Sequence, residues 1–531
     1  MDSTRLAQIR KDFYLSTRAR VESIIGREST QLSNYRMQYE KELRRLKCVA
    51  AQKKHFISRL KQAEVVLVGD FHVQKQSSRG LLRILRKMDS NFVLCLECLN
   101  AGDQKSIDQF LIGELSEKEF LRDVQWKKNW SFPWENYRPL FKWAQQNKIK
   151  IYGLNNNNQA LKTLNQRDVF AASLLKNIKK HNKSKKIFIQ YGDLHLASMH
   201  LPKQIRKVLA GIDLCVVYQS PEVVYFKIME EQKELTTDVV RLSENQWALN
   251  VLPPWVKWQD YLLYLESGID KRIKKTDQDL TDNVAHTVQM LSESFGFKSD
   301  LSALSVYSSD DDSFFDQIET LPLNLRKRIL ENIQDGQSFY IPELQIAYLS
   351  RLSVNHVSKV AAHYIYFLRK GFSKTIVDSK KDFLKLIWLE MVTYLCSKFA
   401  NPKRKSDTLQ DIRAALQKEQ FDDRGKEALM LALNQKLIEL QFISSEKSRT
   451  IPHLKAQIFN KKSYSMAAQI LGGIIGEKFY FALMKKQLRL PMDANIIFKD
   501  LNTDHFIENY YESLDYIESL PSTFKSKFDK L

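Results

Sequence analysis

The feature that most constrains the fold of this chain is a series of short, β-branched apolar runs separated by helical segments, between about Glu64 and Lys227. The six runs are EVVLVG, NFVLCLE, KIKIYGL, KKIFIQYG, DLCVVYQ and EVVYFKI. Nearly continuous apolar runs suit strands that are covered on both faces, and the segments between them are long enough for crossover helices. The sequence therefore predicts an α/β domain with a mostly parallel sheet and flanking helices.

The segments on either side of this region have a different pattern. Residues 1–62 are densely charged, with apolar residues at helical intervals and no proline, which predicts one or two amphipathic helices. After Lys227 strand-like runs nearly vanish, and amphipathic segments such as DFLKLIWLEMVTYLCSKFA predict a large all-α C-terminal region. The polar stretch SVYSSDDDSFFD is the favoured internal linker, with NPKRKSDT as a second candidate. Four segments are expected: a helical arm at 1–62, an α/β domain at 63–230, a helical connecting region at 231–304 and a helical domain at 317–531.

Two similar tetrapeptides follow two of the predicted strands. They are Gly69-Asp70-Phe71-His72 and Gly192-Asp193-Leu194-His195. In open α/β sheets ligands bind beyond the carboxyl ends of the strands, and glycine lets the backbone turn sharply there. A third predicted strand ends with Glu97, which reaches the same edge if the three strands are neighbours. We therefore expect two imidazoles and one carboxylate to converge, against the alternative of ordinary polar strand ends.

Two kinds of chemistry are open to these residues. His72, Glu97 and His195 are enough to hold a divalent metal with positions left for water and substrate. Asp70 and Asp193 would then be further ligands, or partners that orient the imidazoles. Without a metal, either histidine could act as a general base near neutral pH, with a carboxylate fixing its tautomer.

Further candidates lie around the first motif and in the helical half. Gln76, Arg79 and Arg167 could bind an anionic group or stabilise an oxyanion, or else form surface ion pairs. His356 and His363 are two helical turns apart, but no carboxylate lies three or four residues from either within the segment between them, which favours packed histidines. Cys95 and Cys98 would lie on opposite faces of a strand, which disfavours zinc binding.

The stretch from about Leu60 to Lys227 resembles the ChaN-type domain of the Tiki superfamily, whose relatives include TraB-type proteins and erythromycin-esterase-like hydrolases. The superfamily is marked by two Gly-x-x-His motifs and a Glu on the strand after the first, which here are Gly69 with His72, Glu97, and Gly192 with His195. Further similarity lies in QKSIDQFLIG, WKKNWSFPWENYRPLFKWA, the strand YGLN ending at Asn155, Arg167-Asp168 and HLASMHLP. The resemblance covers about a third of the chain, and the helical extension is similar to that of larger bacterial ChaN-like proteins.

Two features depart from the family pattern. ChaN-like domains usually carry Glu directly after the first glycine, whereas this chain has Asp70, which keeps the carboxylate but shortens its reach. Many ChaN-type proteins are lipoproteins, whereas residues 1–30 here carry charge throughout and lack the apolar core of a signal peptide. A role in outer-membrane iron uptake is therefore not expected.

The resemblance implies haem or a divalent metal ion as the cofactor. ChaN-type domains bind haem, Tiki-type relatives are metal-dependent proteases, and the esterase relatives use a histidine to activate water. A haem site needs a flat apolar slot and an axial His, Tyr or Cys. Trp134 and Tyr137, with Trp126 and Trp130, could furnish the slot, or these aromatics could simply pack over the sheet edge.

Composition narrows the choice of partners and compartment. Lys and Arg number 82 against 62 Asp and Glu, an excess of +20 that favours polyanionic neighbours. The sequence has no specific nucleic-acid module and no P-loop. Five scattered cysteines fit a reducing compartment, and charges in 466–484 argue against a spanning helix, so a cytoplasmic protein is expected. Gly472 and Gly476 suit close helix packing, although this apolar face could instead contact an anionic membrane peripherally.

Three hypotheses about function result. The first is a ChaN-type protein that binds haem or a metal ion. The second is a metal-dependent or His-based hydrolase of an ester or amide, acting on a small-molecule or peptide ligand that the sequence does not name. The third is a scaffold whose helical half binds a partner, and the oligomeric state is left open.

Overall fold

The computed structural model of the chain describes residues 3–130, 132–156, 163–267, 279–301, 304–309, 311, 313–370, 380–417, 422–444 and 459–520. These residues divide into two compact units. One unit extends from Val21 to Lys257, and the other comprises the described residues up to Arg20 and from Trp258 onward. The four predicted segments differ from this division, and their boundaries remain predictions.

The first unit is built on an eight-stranded sheet. In chain order its strands are β1 Val49–Ala50, β2 Val65–Asp70, β3 Phe92–Asn100, β4 Ile151–Asn155, β5 Lys186–Gly192, β6 Leu214–Gln219, β7 Val239–Arg241 and β8 Gln246–Leu249. Their order across the sheet is β1-β7-β8-β6-β2-β5-β3-β4. All neighbours are parallel except β7, which is antiparallel to both β1 and β8. The predicted mostly parallel sheet is confirmed.

Helices alternate with the strands of this sheet along the chain. Along the chain they are α1 Ser3–Ile25, α2 Thr30–Arg45, α3 Lys53–Gln62, α4 Lys75–Leu85, α5 Gln104–Ile112, α6 Glu117–Asp123, α7 Trp126–Asn129, α8 Arg138–Gln146, α9 Leu164–His181, α10 Leu201–Val208, α11 Glu222–Glu230 and α12 Pro254–Glu266. Short 3₁₀ helices occupy Ala101–Asp103, Trp134–Asn136 and Asp193–Leu196.

Both faces of the sheet are apolar, as the continuous runs predicted. In β2, Val66 and Val68 join a buried cluster on one face, whereas Val65 and Leu67 join a second cluster on the other. Alternate residues of a strand point to opposite faces, so a strand buried on both sides must be apolar at every position.

The run EVVYFKI was predicted to be a strand, and this prediction is wrong, because the residues form α11. The helix begins directly after Pro221 and buries Val224, Tyr225, Ile228 and Met229, which have helical rather than alternating spacing. Short β-branched runs do not distinguish a buried strand from a buried helix by periodicity. The place beside β6 is taken instead by β8, whose sequence QWAL was not predicted as a strand.

The amino-terminal arm has more breaks than predicted. Residues 1–62 contain three helices rather than one or two, with β1 between the second and the third. Gly26, with a φ of +77°, follows the end of α1 in the left-handed conformation that glycine favours. The Ser29 side chain then caps α2 by accepting the Leu32 N–H.

The C-terminal part of the chain is helical, as predicted. Its helices are α13 Thr281–Phe295, α14 Ser313–Ile318, α15 Leu323–Gln334, α16 Val354–Lys370, α17 Phe383–Ala400, α18 Leu409–Leu416, α19 Asp423–Ser444, α20 Lys461–Met484, α21 Ala494–Ile497 and α22 Phe506–Ser519. A small sheet interrupts them, formed by β9 Ser305–Ser308, β10 Phe339–Ile341 and β11 Ile346–Leu349 in the order β10-β11-β9. No helix of the described residues is long and apolar enough to cross a membrane.

The segment 305–316 was predicted to be a polar linker, and its described residues are instead structured. It contains β9 and the beginning of α14. Val306 and Tyr307 lie in β9, which pairs in parallel with β11, so the backbone hydrogen bonds of this polar stretch are satisfied within a sheet. The second linker candidate, 401–408, joins α17 to α18 and ends at Thr408, whose side chain caps α18.

Candidate functional site

The two Gly-Asp-x-His motifs lie side by side at the carboxyl edge of the large sheet. Strand β5 lies between β2 and β3, so the ends of all three strands are adjacent. Asp70 is the last residue of β2, Gly192 is the last residue of β5, and Glu97 lies in β3. The expectation that these strands are neighbours is confirmed.

Gly192 is the point on which the predicted residues converge. A Cβ atom built on Gly192 would lie 3.3 Å from Glu97 Oε2 and 3.4 Å from both His195 Cδ2 and His72 Cε1. Glu97 Oε2 accepts the Gly192 N–H at 2.6 Å and lies 3.9 Å from His72 Nε2. Two imidazoles and one carboxylate thus surround a single glycine, and any side chain at position 192 would crowd all three.

His72 is held through Nδ1. This nitrogen lies 3.0 Å from Asp70 Oδ2, and the Tyr137 hydroxyl donates to the same oxygen at 2.8 Å. The imidazole also packs against aromatic rings, with centroids 4.5 Å from Trp130 and 5.1 Å from Phe132. Burial alone lowers the pKa of His72, but the hydrogen bond to Asp70 and the nearby negative charges outweigh burial and raise the pKa.

His195 is held in the same way by a second Tyr-Asp pair. Its Nδ1 lies 2.5 Å from Asp168 Oδ1, and the Tyr35 hydroxyl donates to Asp168 Oδ2 at 3.1 Å. Asp168 is fully buried, so each carboxylate oxygen needs its partner. Burial and the charge of Asp168 raise the pKa of Tyr35, which keeps the hydroxyl protonated as a donor.

The two histidines therefore share one arrangement. Each directs Nδ1 to an aspartate that also accepts a tyrosine hydroxyl, and neither Nε2 makes a hydrogen bond within the described part of the chain. An Nδ1–H donated to a carboxylate leaves the lone pair of the ring on Nε2. The edge of the sheet thus presents two oriented imidazoles, of which His72 is the more accessible, with 26% of its side chain exposed against 8% for His195.

Asp193 belongs to the same edge but has a different partner. Lys257 Nζ lies 3.4 Å from Asp193 Oδ2 and 4.2 Å from the centroid of the Phe71 ring. Burial raises the pKa of Asp193 and the charge of Asp70 adds to the effect, while Lys257 opposes it. A Cβ on Gly69 would collide with Asp193 Oδ1, so the first motif needs glycine to admit the aspartate of the second.

Three residues that complete this arrangement were absent from the predicted site. In the sequence Asp168 is marked only by the Arg167-Asp168 similarity to the family, and neither Tyr35 nor Lys257 belongs to a motif. Tyr35 lies on α2 and Lys257 on α12, far along the chain from either motif. Asp168 could have been found as a carboxylate in a family-like position, but no local pattern marks the other two.

The aromatic residues that were predicted to bind a cofactor are buried and do not form an open slot. Trp134 is 5% exposed and packs among Trp126 and Phe141 rather than facing an open slot, and Tyr137 is 1% exposed with its hydroxyl on Asp70. Large aromatic side chains stabilise a core by burying apolar surface, which explains this placement.

The predicted polar groups lie outside the Gly192 centre. Gln76 accepts a hydrogen bond from Arg83 at 3.2 Å, and the structure leaves Arg79 and Arg167 exposed on α4 and α9. In the described residues no hydrogen bond or ion pair joins any of the three to either imidazole, so their roles remain predictions.

The other candidates of the sequence do not form sites in the described residues. His356 Nδ1 bonds the Ser338 hydroxyl at 2.8 Å, whereas His363 is buried and burial lowers its pKa to about 3. Cys95 and Cys98 belong to the clusters on opposite faces of the sheet, as expected.

A metal site is not assembled among the described side chains. Within the described residues, no group of three or more His, Cys, Asp or Glu side chains is arranged to hold a metal ion. Both Nδ1 atoms are engaged by aspartates, and Asp193 is directed to Lys257. The five predicted ligands, Asp70, His72, Glu97, Asp193 and His195, therefore remain a prediction without structural support.

Comparison with known proteins identifies the domain that carries this site. Residues 56–200 match the family described as "Haem-binding uptake, Tiki superfamily, ChaN". A solved structure described as "Cofacial heme binding to ChaN of Campylobacter jejuni" is similar at 16% identity and a TM-score of 0.27, covering 33% of this chain and 89% of that one. A search of curated proteins found no match to this chain. The chain thus carries, at residues 56–200, a ChaN-like domain of the Tiki superfamily.

Proposed function

We propose that the ChaN-like domain binds haem at the carboxyl edge of its sheet, with His72 as an axial ligand of the iron. The observation that carries the proposal is the orientation of His72. Its Nδ1 is fixed by Asp70, and a quarter of the side chain is exposed, so the neutral form of the imidazole carries its lone pair on Nε2, the nitrogen that remains for the iron.

Both the donor nitrogen of His72 and the aromatic rings around it are suited to a haem. Neutral imidazole is a common axial ligand, and a carboxylate on the opposite ring nitrogen increases its basicity. Trp130 and Phe132 pack against the ring, and the half-buried Phe132 supplies apolar surface of the kind that a macrocycle contacts. When bound, haem would supply an iron centre that binds small ligands or exchanges electrons.

The remaining residues of the site orient the His72 imidazole or balance the charge around it. Tyr137 fixes Asp70, and Asp70 fixes the imidazole of His72. Glu97 Oε2 accepts the Gly192 N–H and lies 3.9 Å from His72 Nε2, so its carboxylate faces the free nitrogen of that imidazole. Lys257 compensates the charge of Asp193, so that the edge does not carry three uncompensated carboxylates.

The test is a haemin titration of the purified chain, followed by the Soret absorbance. We expect His72→Ala to weaken binding by at least about tenfold and to change the spectrum, because the axial nitrogen is lost. Asp70→Asn should weaken binding about 10- to 100-fold, since the partner of a ligating histidine tunes its basicity and orientation. His181→Ala is the matched control, because His181 is exposed on α9 and bonds only the carbonyl of its own helix.

Two results would contradict the proposal. One is a wild-type protein that binds no haem at micromolar concentration. The other is a His72→Ala variant with the affinity and spectrum of the wild type. An equal loss of binding in His181→Ala would also count against the proposal, because the loss would then not depend on the nitrogen of His72.

The buried Asp168–His195 pair favours a second use of the same edge. His195 Nδ1 lies 2.5 Å from a carboxylate oxygen of the fully buried Asp168. The general base of a hydrolase is oriented by a carboxylate in the same way. In this function His195 Nε2 would remove a proton from water attacking an ester or amide. Hydrolysis of p-nitrophenyl acetate by the haem-free protein, lost in His195→Ala and kept in His181→Ala, would favour it.

A further inference from the structure

A cavity of about 480 Å³ lies at the opposite edge of the large sheet from the two imidazoles. Its position follows from Arg59, which bonds Asp213 and Asn245 directly before strands β6 and β8. These strands are parallel to each other and to β2, so the cavity lies at their amino ends, whereas the Gly192 centre lies at carboxyl ends. All of its lining residues belong to the unit between Val21 and Lys257.

One wall of the cavity is a row across three strands. Val49 of β1 pairs with Arg241 of β7, and Arg241 pairs with Trp247 of β8. Paired residues on neighbouring strands project to the same face of a sheet, so these three side chains stand side by side. The other wall is α3, where His55 and Arg59 are four residues apart and share one helical face.

The basic side chains of this cavity differ in whether an acidic group compensates their charge. Arg59 Nη1 and Nη2 bond the two oxygens of Asp213 at 3.1 and 2.5 Å, so its charge is compensated and its position is fixed. Among the residues that the structure describes, the side chains of Arg241 and His55 have no hydrogen bond or ion pair. Glu244 is the acidic residue of the lining, and its charge acts on Arg59.

We infer that this cavity is a second binding site, which takes a small organic anion with a ring-sized apolar body. The anionic group would lie against the guanidinium of Arg241 and the imidazole of His55. The body would lie against Val49, Ala51 and the edge of Trp247, whose indole N–H bonds the Glu244 carbonyl and holds the ring in place. The volume lies within the range of roughly 300–1,000 Å³ that small-molecule sites occupy.

The test uses 2-naphthoate as the probe and isothermal titration calorimetry of the full chain at low salt. Two further titrants separate the contributions: 2-naphthalenemethanol has the same ring without the charge, and inorganic phosphate has charge without the ring. The variants are Arg241→Gln, Arg241→Lys and the matched control Arg206→Gln, an exposed arginine on α10.

The expected result is that wild type binds 2-naphthoate more tightly than either of the other titrants. Arg241→Gln should weaken the binding of 2-naphthoate about fivefold, which is the upper range for a partly exposed ion pair. Arg241→Lys should retain part of the affinity, Arg206→Gln should retain all of it, and none of these variants should alter haemin binding.

Three outcomes would overturn the inference. They are a wild type that does not bind 2-naphthoate at millimolar concentration, an Arg241→Gln variant that binds it as tightly as the wild type does, and equal affinity for the uncharged analogue. The melting temperature of Arg241→Gln should match that of wild type, because the side chain is exposed at the end of β7. Haemin binding is measured separately, so a failure of this inference is distinguishable from a failure of the haem proposal.

Discussion

Gly69 and Gly192 act by leaving room for other residues. Asp193 occupies the space that a Cβ on Gly69 would need, and the Cβ position of Gly192 is bordered by Glu97 and both imidazoles. The glycines of the two motifs are therefore packing requirements of the opposite motif as well as turn residues. This explains in physical terms why each histidine motif begins with glycine.

Replacement of Gly192 should disturb the site more than the fold. In Gly192→Ala the new methyl group lies 3.3–3.4 Å from three side chains, so each must shift by a few tenths of an ångström. We expect weaker haemin binding and a loss of about 1–2 kcal/mol in unfolding free energy, as for other overpacked positions. Haemin titration and urea unfolding measure the two effects.

Gly102→Ala is the control for this variant. A Cβ on Gly102 meets no atom within 4 Å, and the residue lies on the same domain. It should bind haemin as the wild type does. If Gly192→Ala also leaves haemin binding unchanged, the convergence of side chains on Gly192 has no role in binding.

Glu266 gives the helical unit a predictable pH dependence. Its side chain is fully buried, and burial raises its pKa to about 8, with Asp282 and Asp279 adding to the shift and Arg20 opposing it. A raised pKa means that the folded state holds the proton more tightly than the unfolded state does. The contribution of Glu266 to the unfolding free energy is therefore largest below about pH 4.5 and falls as the pH rises toward about 8.

Glu266→Gln should remove this dependence, because the amide stays neutral and fits the same space. The stabilisation relative to wild type should be negligible at about pH 5 and reach up to about 5 kcal/mol above pH 8, from 1.36 kcal/mol for each pKa unit. Urea unfolding at the two pH values measures it. A variant that is less stable than wild type at both would mean that the carboxylate is bound as an ion pair with Arg20.

At the scale of elements, α17 and α20 of the C-terminal region pack closely against each other. A Cβ on Gly472 would lie 2.6 Å from the Met391 backbone nitrogen, and one on Gly476 would lie 2.9 Å from the Met391 carbonyl oxygen. The spacing of four residues places both glycines on one face of α20. Their packing within the helical core agrees with the interpretation of this pair as a helix-packing motif.

Neighbouring glycines of α20 should respond in opposite ways to alanine. Gly472→Ala should lower the unfolding free energy by about 1–3 kcal/mol, because the backbone of α17 cannot yield as a flexible side chain can. Gly473→Ala should raise it by about 0.5–1 kcal/mol, because its Cβ would be 3.6 Å from its nearest neighbours and alanine favours helix. Thermal unfolding of the two variants checks the contrast, and equal destabilisation by both would contradict the close approach.

The elements themselves were predictable to different degrees. The strands before the two histidine motifs are mostly apolar and end in aspartate or glycine, which is a local pattern. Helix α11 was predicted as a strand because its short β-branched run is too short to show a helical period. Strand β8 was missed for a related reason, since its four residues gain stability from pairing with β6 and β7 rather than from their own pattern.

At the scale of the whole molecule, the matched domain and the structural unit have different limits. The family match covers residues 56–200, whereas the compact unit extends from Val21 to Lys257. Tyr35 and Lys257 lie in the unit but outside the match, and both contact aspartates of the site. The segments that flank the ChaN-like domain therefore contribute buried partners to its polar edge.

The sequence by itself determined strands β2 to β6, the largely helical nature of the second half and the nearness of His72, Glu97 and His195 to the ends of predicted strands. These conclusions rest on periodicity and on residues close to strand ends, which are properties of neighbouring positions. The tertiary structure alone decided which groups hold these side chains. Asp168 meets His195 across 27 positions, Lys257 meets Asp193 across 64, and Tyr35 meets Asp168 across 133. No local pattern encodes such pairs, because they form only when the packing of helices against the sheet brings distant segments together.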